Sequence, residues 1–251
     1  MIEYKSQYRQ DRFVDLDVFA GMENGFFVDI GANDGITFSN TWTLETARGW
    51  TGICIEPMPR IFAELSTHRK CICVKGCVAS TPGLREFTQV TGPAHMLSGL
   101  SDKIDKAHVA RIERESRHGG GPIEKITVAC WTFNALMEEH KVRHIDYCSI
   151  DTEGCELEIL KSIDFARFGA NCYTVEDNDG VEQLSLFMES KGYRMVEKLG
   201  DDVVFVSREH LKKIKPIGLL RTGERSRRFL RRAVRRILPD SMVDMIRKHS
   251  K

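Results

Sequence analysis

The stretch from Phe26 to Gly35, with the sequence FFVDIGANDG, constrains the fold more than any other part of the chain. Its first five residues are mostly β-branched and aromatic, and a turn bounded by Gly31 and Gly35 follows directly. This pattern predicts a buried parallel strand that feeds a tight loop, with a helix over residues 36–45. Strand, glycine loop and helix form the nucleotide pocket of a doubly wound sheet, because glycine lets the backbone approach a ligand closely.

The polar residues of this loop predict which cofactor binds there. Asn33 stands where the dinucleotide motif G-x-G-x-x-G needs its second glycine, and the Gly-Lys-Ser/Thr of a P-loop does not occur in the chain. The loop carries Asp29 and Asp34, and this acidic surround suits a cationic sulfonium and a free ammonium better than a pyrophosphate. We therefore predict S-adenosylmethionine as the cofactor. An ordinary βα turn in another α/β protein is the alternative interpretation.

The next predicted strand, residues 52–56, ends in an acid. Glu56 lies 25 residues beyond Gly31, and Pro57 stops the strand immediately after it. In nucleotide-binding α/β folds an acid at this point accepts hydrogen bonds from the ribose hydroxyls, whereas the simpler interpretation is a solvated strand end. Cys77 and Val78 follow at the end of a third short strand, where they are expected to approach an adenine ring.

The rest of the chain alternates predicted strands and helices. Strands are predicted near 71–74, 86–90, 126–131, 145–150 and 170–175, helices near 61–65, 107–117, 133–139, 157–160 and 181–190, and a closing hairpin at 192–197 and 202–206. This order predicts an α/β fold with a doubly wound, mostly parallel sheet, an antiparallel C-terminal hairpin and a basic helical tail. We divide the chain into an N-terminal helical segment (1–23) that covers one sheet edge, a catalytic domain (24–207) and a tail (208–251).

Asp151 and Glu153 follow the strand near 145–150, so they are expected at the same sheet edge as Glu56. If the strand continues through Thr152, the side chains of Asp151 and Glu153 share one side. Two adjacent carboxylates can raise one pKa toward that of a useful base, or bind a divalent cation. Alternatively, one carboxylate orients a ligand ammonium and the other caps the next helix. His95 and His144 are the alternative bases.

Three motifs, in order and at fitting separations, carry a family resemblance. They are residues 28–35 with Ser39-Asn40-Thr41, then Ile55-Glu56-Pro57, then SIDTEGCE at residues 149–156. Together they resemble the FkbM-type methyltransferases, from about residue 24 to 207. The segments 83–126 and 208–251 match nothing in that pattern, and Cys155 replaces the small residue that is more usual after the Glu-Gly pair.

The resemblance implies a class I, Rossmann-like, S-adenosylmethionine-dependent fold and methyl transfer to a hydroxyl of a sugar or natural product. In-line methyl transfer needs the hydroxyl proton to be removed, so we predict Asp151 and Glu153 as the catalytic residues. The predicted cofactor-binding residues are Asp29, Gly31, Asn33, Asp34, Gly35, Asn40, Glu56, Pro57, Cys77 and Val78. A nucleic-acid methyltransferase and a catalytically inactive binding module of the same fold are the alternatives.

Composition narrows the class of protein. The chain is 41% apolar but has no run of 18 apolar residues that would span a membrane, and its first residues have no hydrophobic signal core. The eight cysteines form no C-x-x-C pair, so no metal site is predicted, although a divalent metal at the acids is possible. We expect a cytoplasmic protein with free thiols.

The charge is distributed unevenly along the chain. Of 37 Lys and Arg and 36 Asp and Glu, residues 208–251 hold 15 and 4, which leaves 22 and 32 for the rest, so a tail of net charge +11 follows a body of −10. On a helical projection of residues 227–238, arginines fill one half and apolar residues fill the other. Basic amphipathic helices bind anionic membranes, so we predict peripheral association of residues 222–251 with the inner face of a membrane. A glycan or small-molecule acceptor is expected, and nucleic acid is not.

Overall fold

A computed structural model of the protein describes residues 2–178 and 180–214, in which strands and helices alternate. The strands are β1 (Phe26–Ile30), β2 (Thr51–Glu56), β3 (Ile72–Lys75), β4 (Cys77–Val78), β5 (Gly83–Val90), β6 (Gly99–Leu100), β7 (Ile123–Trp131), β8 (Tyr147–Ile150), β9 (Cys172–Glu176), β10 (Tyr193–Leu199) and β11 (Asp202–Ser207). The helices are α1 (Gln10–Phe13, continued by a π-helical turn over Val14–Val18), α2 (Trp42–Arg48), α3 (Pro59–His68), α4 (Lys106–Glu115), α5 (Phe133–Glu139), α6 (Glu156–Ser162), α7 (Phe165–Phe168), α8 (Val181–Ser190) and α9 (Arg208–Lys213).

Seven strands form the central sheet, in the order β10-β11-β9-β8-β1-β2-β3. The pairs from β9 across to β3 are parallel, whereas β11 runs antiparallel to β9 and to β10. Because parallel strands point the same way, the carboxyl ends of β1, β2, β8 and β9 meet at one sheet edge. The mostly parallel sheet predicted from the sequence is therefore present.

Helices cover both faces of this sheet. On one face, α5, α6 and α8 bury residues such as Leu136, Ile159 and Leu184 against the inner strands. On the other face, the N-terminal segment, α2 and α3 pack with β1, β8 and β11. Val14 and Val18 are fully or almost fully buried there. The prediction that the N-terminal helix covers a sheet edge is wrong, because its apolar residues pack against a face.

A second, four-stranded sheet has the order β4-β7-β5-β6. Its strands β5 and β6 and the start of β7 lie in the segment 83–126, which is outside the three motifs that carry the family resemblance. β5 and β7 pair antiparallel along their whole length, from Gly83 opposite Cys130 to Val90 opposite Ile123. The predicted strands 86–90 and 126–131 therefore exist but belong to this second sheet. Its buried residues Phe87, Leu100 and Val128 join the core above the central sheet.

The first helix after the glycine loop begins six residues later than predicted, at Trp42 instead of Ile36. The Asp34 carboxylate accepts hydrogen bonds from the backbone N–H groups of Ile36 (2.8 Å) and Thr37 (2.7 Å), which holds a turn there. Phe38 then adopts a left-handed conformation with φ of +55°, which a continuous helix does not allow.

The basic amphipathic helix predicted at 227–238 lies outside the described residues, of which α9 is the last helix. Among residues 2–178 and 180–214, none of the helices has the length and apolar character needed to cross a membrane.

Candidate active site

Two adjoining cavities open at the carboxyl edge of the central sheet. The first encloses about 710 Å³, open solvent at its mouth included, and the second about 580 Å³. Residues that line both cavities are Gly31, Asn33, Met96 and Asp151. The two cavities therefore meet at the glycine loop and at the end of β8.

The backbone of the glycine loop is held between neighbouring strand ends. The Gly31 and Ala32 N–H groups both donate to the Ile55 carbonyl oxygen, at 3.1 and 3.0 Å. Gly31 has a φ of +86°, and a Cβ there would lie 1.8 Å from the Asp151 carbonyl oxygen, so only glycine fits. Asn33 also has a positive φ, of +50°, which asparagine tolerates better than most residues.

Glu56 ends β2 and is only 4% exposed. Its carboxylate accepts a hydrogen bond of 2.8 Å from the Met58 N–H, and burial raises the pKa of Glu56 to about 7 against the stabilising backbone hydrogen bonds from Met58 and Asn33. Glu56 and Pro57 line the first cavity, as do Cys77 and Val78. These four residues, predicted to contact a nucleoside, therefore share one cavity with Gly31 and Asn33.

The other predicted cofactor residues lie elsewhere. Asp29 and Asn40 line the second cavity, where the buried Asp29 carboxylate accepts a hydrogen bond from Thr41 Oγ1 at 2.6 Å. Asp34 and Gly35 line neither cavity. Asp34 holds the turn that follows it, and Gly35 packs where a Cβ would lie 2.7 Å from Leu65 Cδ1. Asp34 and Gly35 thus stabilise the conformation of the loop, although they line neither cavity.

Three carboxylates converge where the two cavities meet. Asp151, Glu153 and Glu176 each offer an oxygen within 4.8 Å of the other two. Burial raises the pKa of Asp151 well above its usual range, and that of Glu153 to about 8. Burial, reinforced by the nearby Glu156 carboxylate, raises the pKa of Glu176 to about 7. Such a group can hold a proton at neutral pH or bind a hard divalent cation.

The backbone that carries Asp151 and Glu153 differs from the prediction, in which the strand continued through Thr152. β8 ends at Ile150, and the Asp151 N–H donates to the Ile30 carbonyl oxygen at 3.0 Å, which ties the segment to β1. Glu153 has a φ of +57°, so the chain turns instead of continuing as a strand. The Glu153 carboxylate also lies 3.5 Å from Nδ1 of His108, which projects from α4.

Several residues around the cavities were not predicted as site residues. Glu176 ends β9 and Asp202 begins β11, so topology alone brings them beside Asp151. Their positions at strand ends were a signal in the sequence, but the strand order was needed to use it. Of the two candidate histidines, His95 lines the first cavity and lies 3.0 Å from Asn33 Oδ1. His144 lines neither cavity and contacts Asp146 instead.

A cleft at the carboxyl edge of a doubly wound parallel sheet, with a buried acid at the end of the second strand, defines a nucleotide-cofactor α/β enzyme. A family model described as "Methyltransferase FkbM domain" matches residues 29–195. The chain therefore belongs to the FkbM methyltransferase family, and it is an S-adenosylmethionine-dependent methyltransferase.

The chain is also similar to solved methyltransferase and RNA-processing structures, at low identity. A precorrin-6y C5,15-methyltransferase from Geobacter metallireducens GS-15 is 12% identical, with 78% of this chain and 85% of that chain covered and a TM-score of 0.41. The METTL16 MTase domain is 13% identical, with 78% and 65% covered and a TM-score of 0.41. A Methanococcus jannaschii fibrillarin pre-rRNA processing protein is 13% identical, with 74% and 66% covered and a TM-score of 0.37. No curated protein sequence matches it.

The residues of the first cavity fit the cofactor of this family. Among the described residues, lysine and arginine are absent from its lining, whereas the carboxylates of Glu56, Asp151 and Glu153 are present. These groups suit a ligand that carries a sulfonium and an ammonium, because a bound cation favours the ionised form of a buried carboxyl group. The side-chain Nδ2 of Asn33 is buried and has no hydrogen-bond partner in the part of the chain that the structure describes, so a donor is available for a ligand oxygen.

Proposed function

We propose that the protein transfers the methyl group of S-adenosylmethionine to a hydroxyl of a sugar, a glycan or a related natural product. The observation that carries this proposal is that Asp151 lines both cavities. A base at this position faces a cofactor in one cavity and an acceptor in the other. Bound in the first cavity, the cofactor supplies an electrophilic methyl group.

The cofactor role of the first cavity follows from its lining. Glu56 would accept hydrogen bonds from the ribose hydroxyls, since its buried carboxylate stands at the end of β2. Cys77 and Val78, which line the same cavity as Pro57, would give the adenine an apolar surface. The loop at Gly31 allows the backbone to approach the amino-acid end of the cofactor closely.

The acceptor hydroxyl needs a base, and the three-carboxylate cluster provides one. Burial and mutual repulsion raise the pKa values of Asp151, Glu153 and Glu176, so a member of the cluster that is ionised is a stronger base than an ordinary carboxylate. We assign proton removal to Asp151, which lies at the junction of the cavities. Glu153 and Glu176 influence the pKa of Asp151, and they accept the proton that Asp151 has removed from the acceptor hydroxyl.

The test has two steps. Calorimetry should first detect binding of S-adenosylmethionine by the intact protein, and Glu56→Ala should weaken it by roughly 1.5–3 kcal/mol, the range for hydrogen bonds to a charged group. A screen with labelled cofactor against sugars and glycan precursors should then find methyl transfer that Asp151→Asn abolishes. If the intact protein does not bind S-adenosylmethionine, the proposed methyltransferase activity is contradicted. Transfer to nucleic acid, or cofactor binding without transfer to any acceptor, supports one of the alternatives.

A further inference from the structure

Part of the wall of the second cavity is built from residues outside the family match. The match covers residues 29–195, but the cavity wall includes Tyr8 and Gln10 from the N-terminal segment and Asp201 and Asp202 from the turn and start of β11. Because these four residues are not part of the matched region, they are the places where this chain can differ from its relatives in what it accepts.

The N-terminal segment is fixed against the β10–β11 turn by specific contacts. The Tyr8 ring packs on Gly200 so closely that a Cβ on Gly200 would lie 2.1 Å from Tyr8 Cδ2. Gln10, 3% exposed, donates from Nε2 to Asp202 Oδ2 at 2.7 Å, and the Tyr8 hydroxyl donates to Asp201 Oδ2 at 3.4 Å. The cavity wall is therefore assembled before any ligand arrives.

The lining offers mainly hydrogen-bond acceptors. It holds five carboxylates and, within the described residues, none of its side chains is lysine, arginine or histidine; the carboxylates are Asp29, Asp151, Glu176, Asp201 and Asp202. Asn40 adds an independent sign of a ligand. It is nine-tenths buried, lines the cavity and donates to Ser149 Oγ, while its Oδ1 has no partner among the described residues. A ligand that donates hydrogen bonds would satisfy it.

Apolar and aromatic side chains project around the same cavity. Tyr8, Phe38 and Met96 line it although they are 39%, 45% and 37% exposed, and they are three of the eight large hydrophobic side chains that are exposed in the described part of the chain. A hydroxyl-rich ring has an apolar face for such a surface and polar edges for the carboxylates. The cavity thus offers an apolar surface for the face of such a ring and carboxylates for its polar edges.

We propose that the second cavity binds the methyl acceptor, and that Tyr8, Asp201 and Asp202 make it selective for uncharged or amine-bearing sugars and against anionic ones. This inference depends on the proposed function, because it places the acceptor beside Asp151. Any of these carboxylates that is ionised repels an anionic ligand, so an acceptor that carries a carboxylate or phosphate at this site is disfavoured.

The test uses three monosaccharides of nearly the same shape, namely glucose, glucosamine and glucuronic acid, with full-length protein saturated with S-adenosylhomocysteine. Binding is measured by saturation-transfer NMR and competition. We expect glucose and glucosamine to bind at least about tenfold more tightly than glucuronic acid, which is a modest expectation for repulsion between buried like charges. Equal binding, preference for glucuronic acid, or binding of none of the three overturns the inference.

Two variants distinguish the residue roles. Asp201→Asn, at an exposed position of the cavity wall, should reduce the discrimination against glucuronic acid, whereas Tyr8→Ala should weaken all three sugars and leave their ratio unchanged. Asp102→Asn, at an exposed acid that lines neither cavity, is the matched control. An unchanged ratio in Asp201→Asn also overturns the inference. Binding of S-adenosylhomocysteine is measured separately in each protein, and its absence would contradict the proposed function instead.

Discussion

The Asp151 carbonyl oxygen closes over Gly31 so tightly that a Cβ on Gly31 would lie only 1.8 Å from it. The contact joins the end of β1 to the end of β8, and the Asp151 N–H completes it through its 3.0 Å hydrogen bond to the Ile30 carbonyl oxygen. The distance between the cofactor loop and the proposed base is therefore fixed by backbone contacts.

Replacing Gly31 should disrupt the site more than its unfavourable φ alone explains. Gly31→Ala must relieve the clash as well as the left-handed strain, so we expect a loss of at least about 3 kcal/mol in unfolding free energy and a loss of cofactor affinity. Gly192 is the matched control, because its φ of +89° is similar but a Cβ there meets nothing within 4 Å. Gly192→Ala should cost only about 1 kcal/mol. Equal losses in urea denaturation would contradict the close contact.

The central sheet could be predicted because its inner strands are short apolar runs with an acid or a glycine at the end. β2 ends in Glu56 itself, and β1 ends at Ile30, directly before Gly31. The second sheet could not be predicted, because β5 and β7 pair residues as far apart as Gly83 and Cys130, across a long connection that contains β6 and α4. The helix start was misplaced because the Asp34 side chain holds a local turn, which helix propensity does not reveal.

The candidate site was predictable to a similar extent. Residues next to strand ends, such as Gly31, Glu56 and Asp151, could be assigned from their order in the chain. Glu176 could not, because it joins the site only through the parallel pairing of β9 with β8, and Asp202 could not, because it joins only through the antiparallel position of β11 beside β9. The N-terminal contribution depends on contacts of Tyr8 and Gln10 with residues more than 190 positions away, for which a single sequence gives no signal.

Burial of Glu56 should make the stability of the ligand-free protein depend on pH. Its pKa rises from 4.5 to about 7 on folding, so the folded state binds the proton more tightly than the unfolded state. The corresponding stability is fully present below about pH 4.5 and is lost as the pH rises toward 7, by up to about 3 kcal/mol.

Glu56→Gln should remove this contribution. We expect the variant to be at least as stable as the unmodified protein at pH 8 while binding S-adenosylmethionine more weakly, as measured by denaturation and calorimetry across pH 4.5–8. If the variant loses stability with rising pH as steeply as the unmodified protein, Glu56 is not the buried acid responsible.

Asp151 and its neighbouring carboxylates can be separated by their effects on rate. Asp151→Asn is nearly isosteric and should reduce turnover at least about a hundredfold if Asp151 is the base, with a much smaller change in cofactor affinity. An equal fall in affinity and rate would place Asp151 in cofactor binding instead. Because Asp151, Glu153 and Glu176 could hold a divalent cation, activity is compared with and without a chelator. Loss of activity with the chelator, restored by added Mg²⁺, would identify a metal-assisted reaction.

The tail prediction concerns residues that the structure does not describe and is tested on the full chain. We propose that residues 222–251 bind anionic membranes, since arginines occupy one half of the helical projection of 227–238. Co-sedimentation should detect binding to anionic but not neutral vesicles, weakened by salt and lost when 222–251 is deleted. Pelleting of the truncated protein, or no pelleting of the intact one, would show that the tail is not an anchor.

Arg69 forms a buried ion pair with Glu45 and stabilises the cofactor loop. Its side chain is fully buried, lies 2.5 Å from Glu45 and donates to the Gly35 carbonyl oxygen at 3.2 Å and to Thr41 Oγ1 at 3.0 Å. Thr41 in turn donates to the buried Asp29 carboxylate. Removal of the guanidinium leaves two buried acids without their cation, so Arg69→Met should cost about 3–5 kcal/mol in unfolding free energy.

Arg60 offers the matched comparison on the surface, because it pairs with Glu64 at 3.2 Å while its side chain stays 80% exposed. Arg60→Met should change the unfolding free energy by no more than about 0.5 kcal/mol. If Arg69→Met is destabilised but still binds S-adenosylmethionine normally below its unfolding transition, Arg69 contributes to stability and not to the position of the loop. We expect weaker binding instead, because the Arg69 bond to the Gly35 carbonyl oxygen is one of the contacts that hold the loop. Equal stability of the two variants would show that burial of the Arg69–Glu45 pair has no energetic consequence.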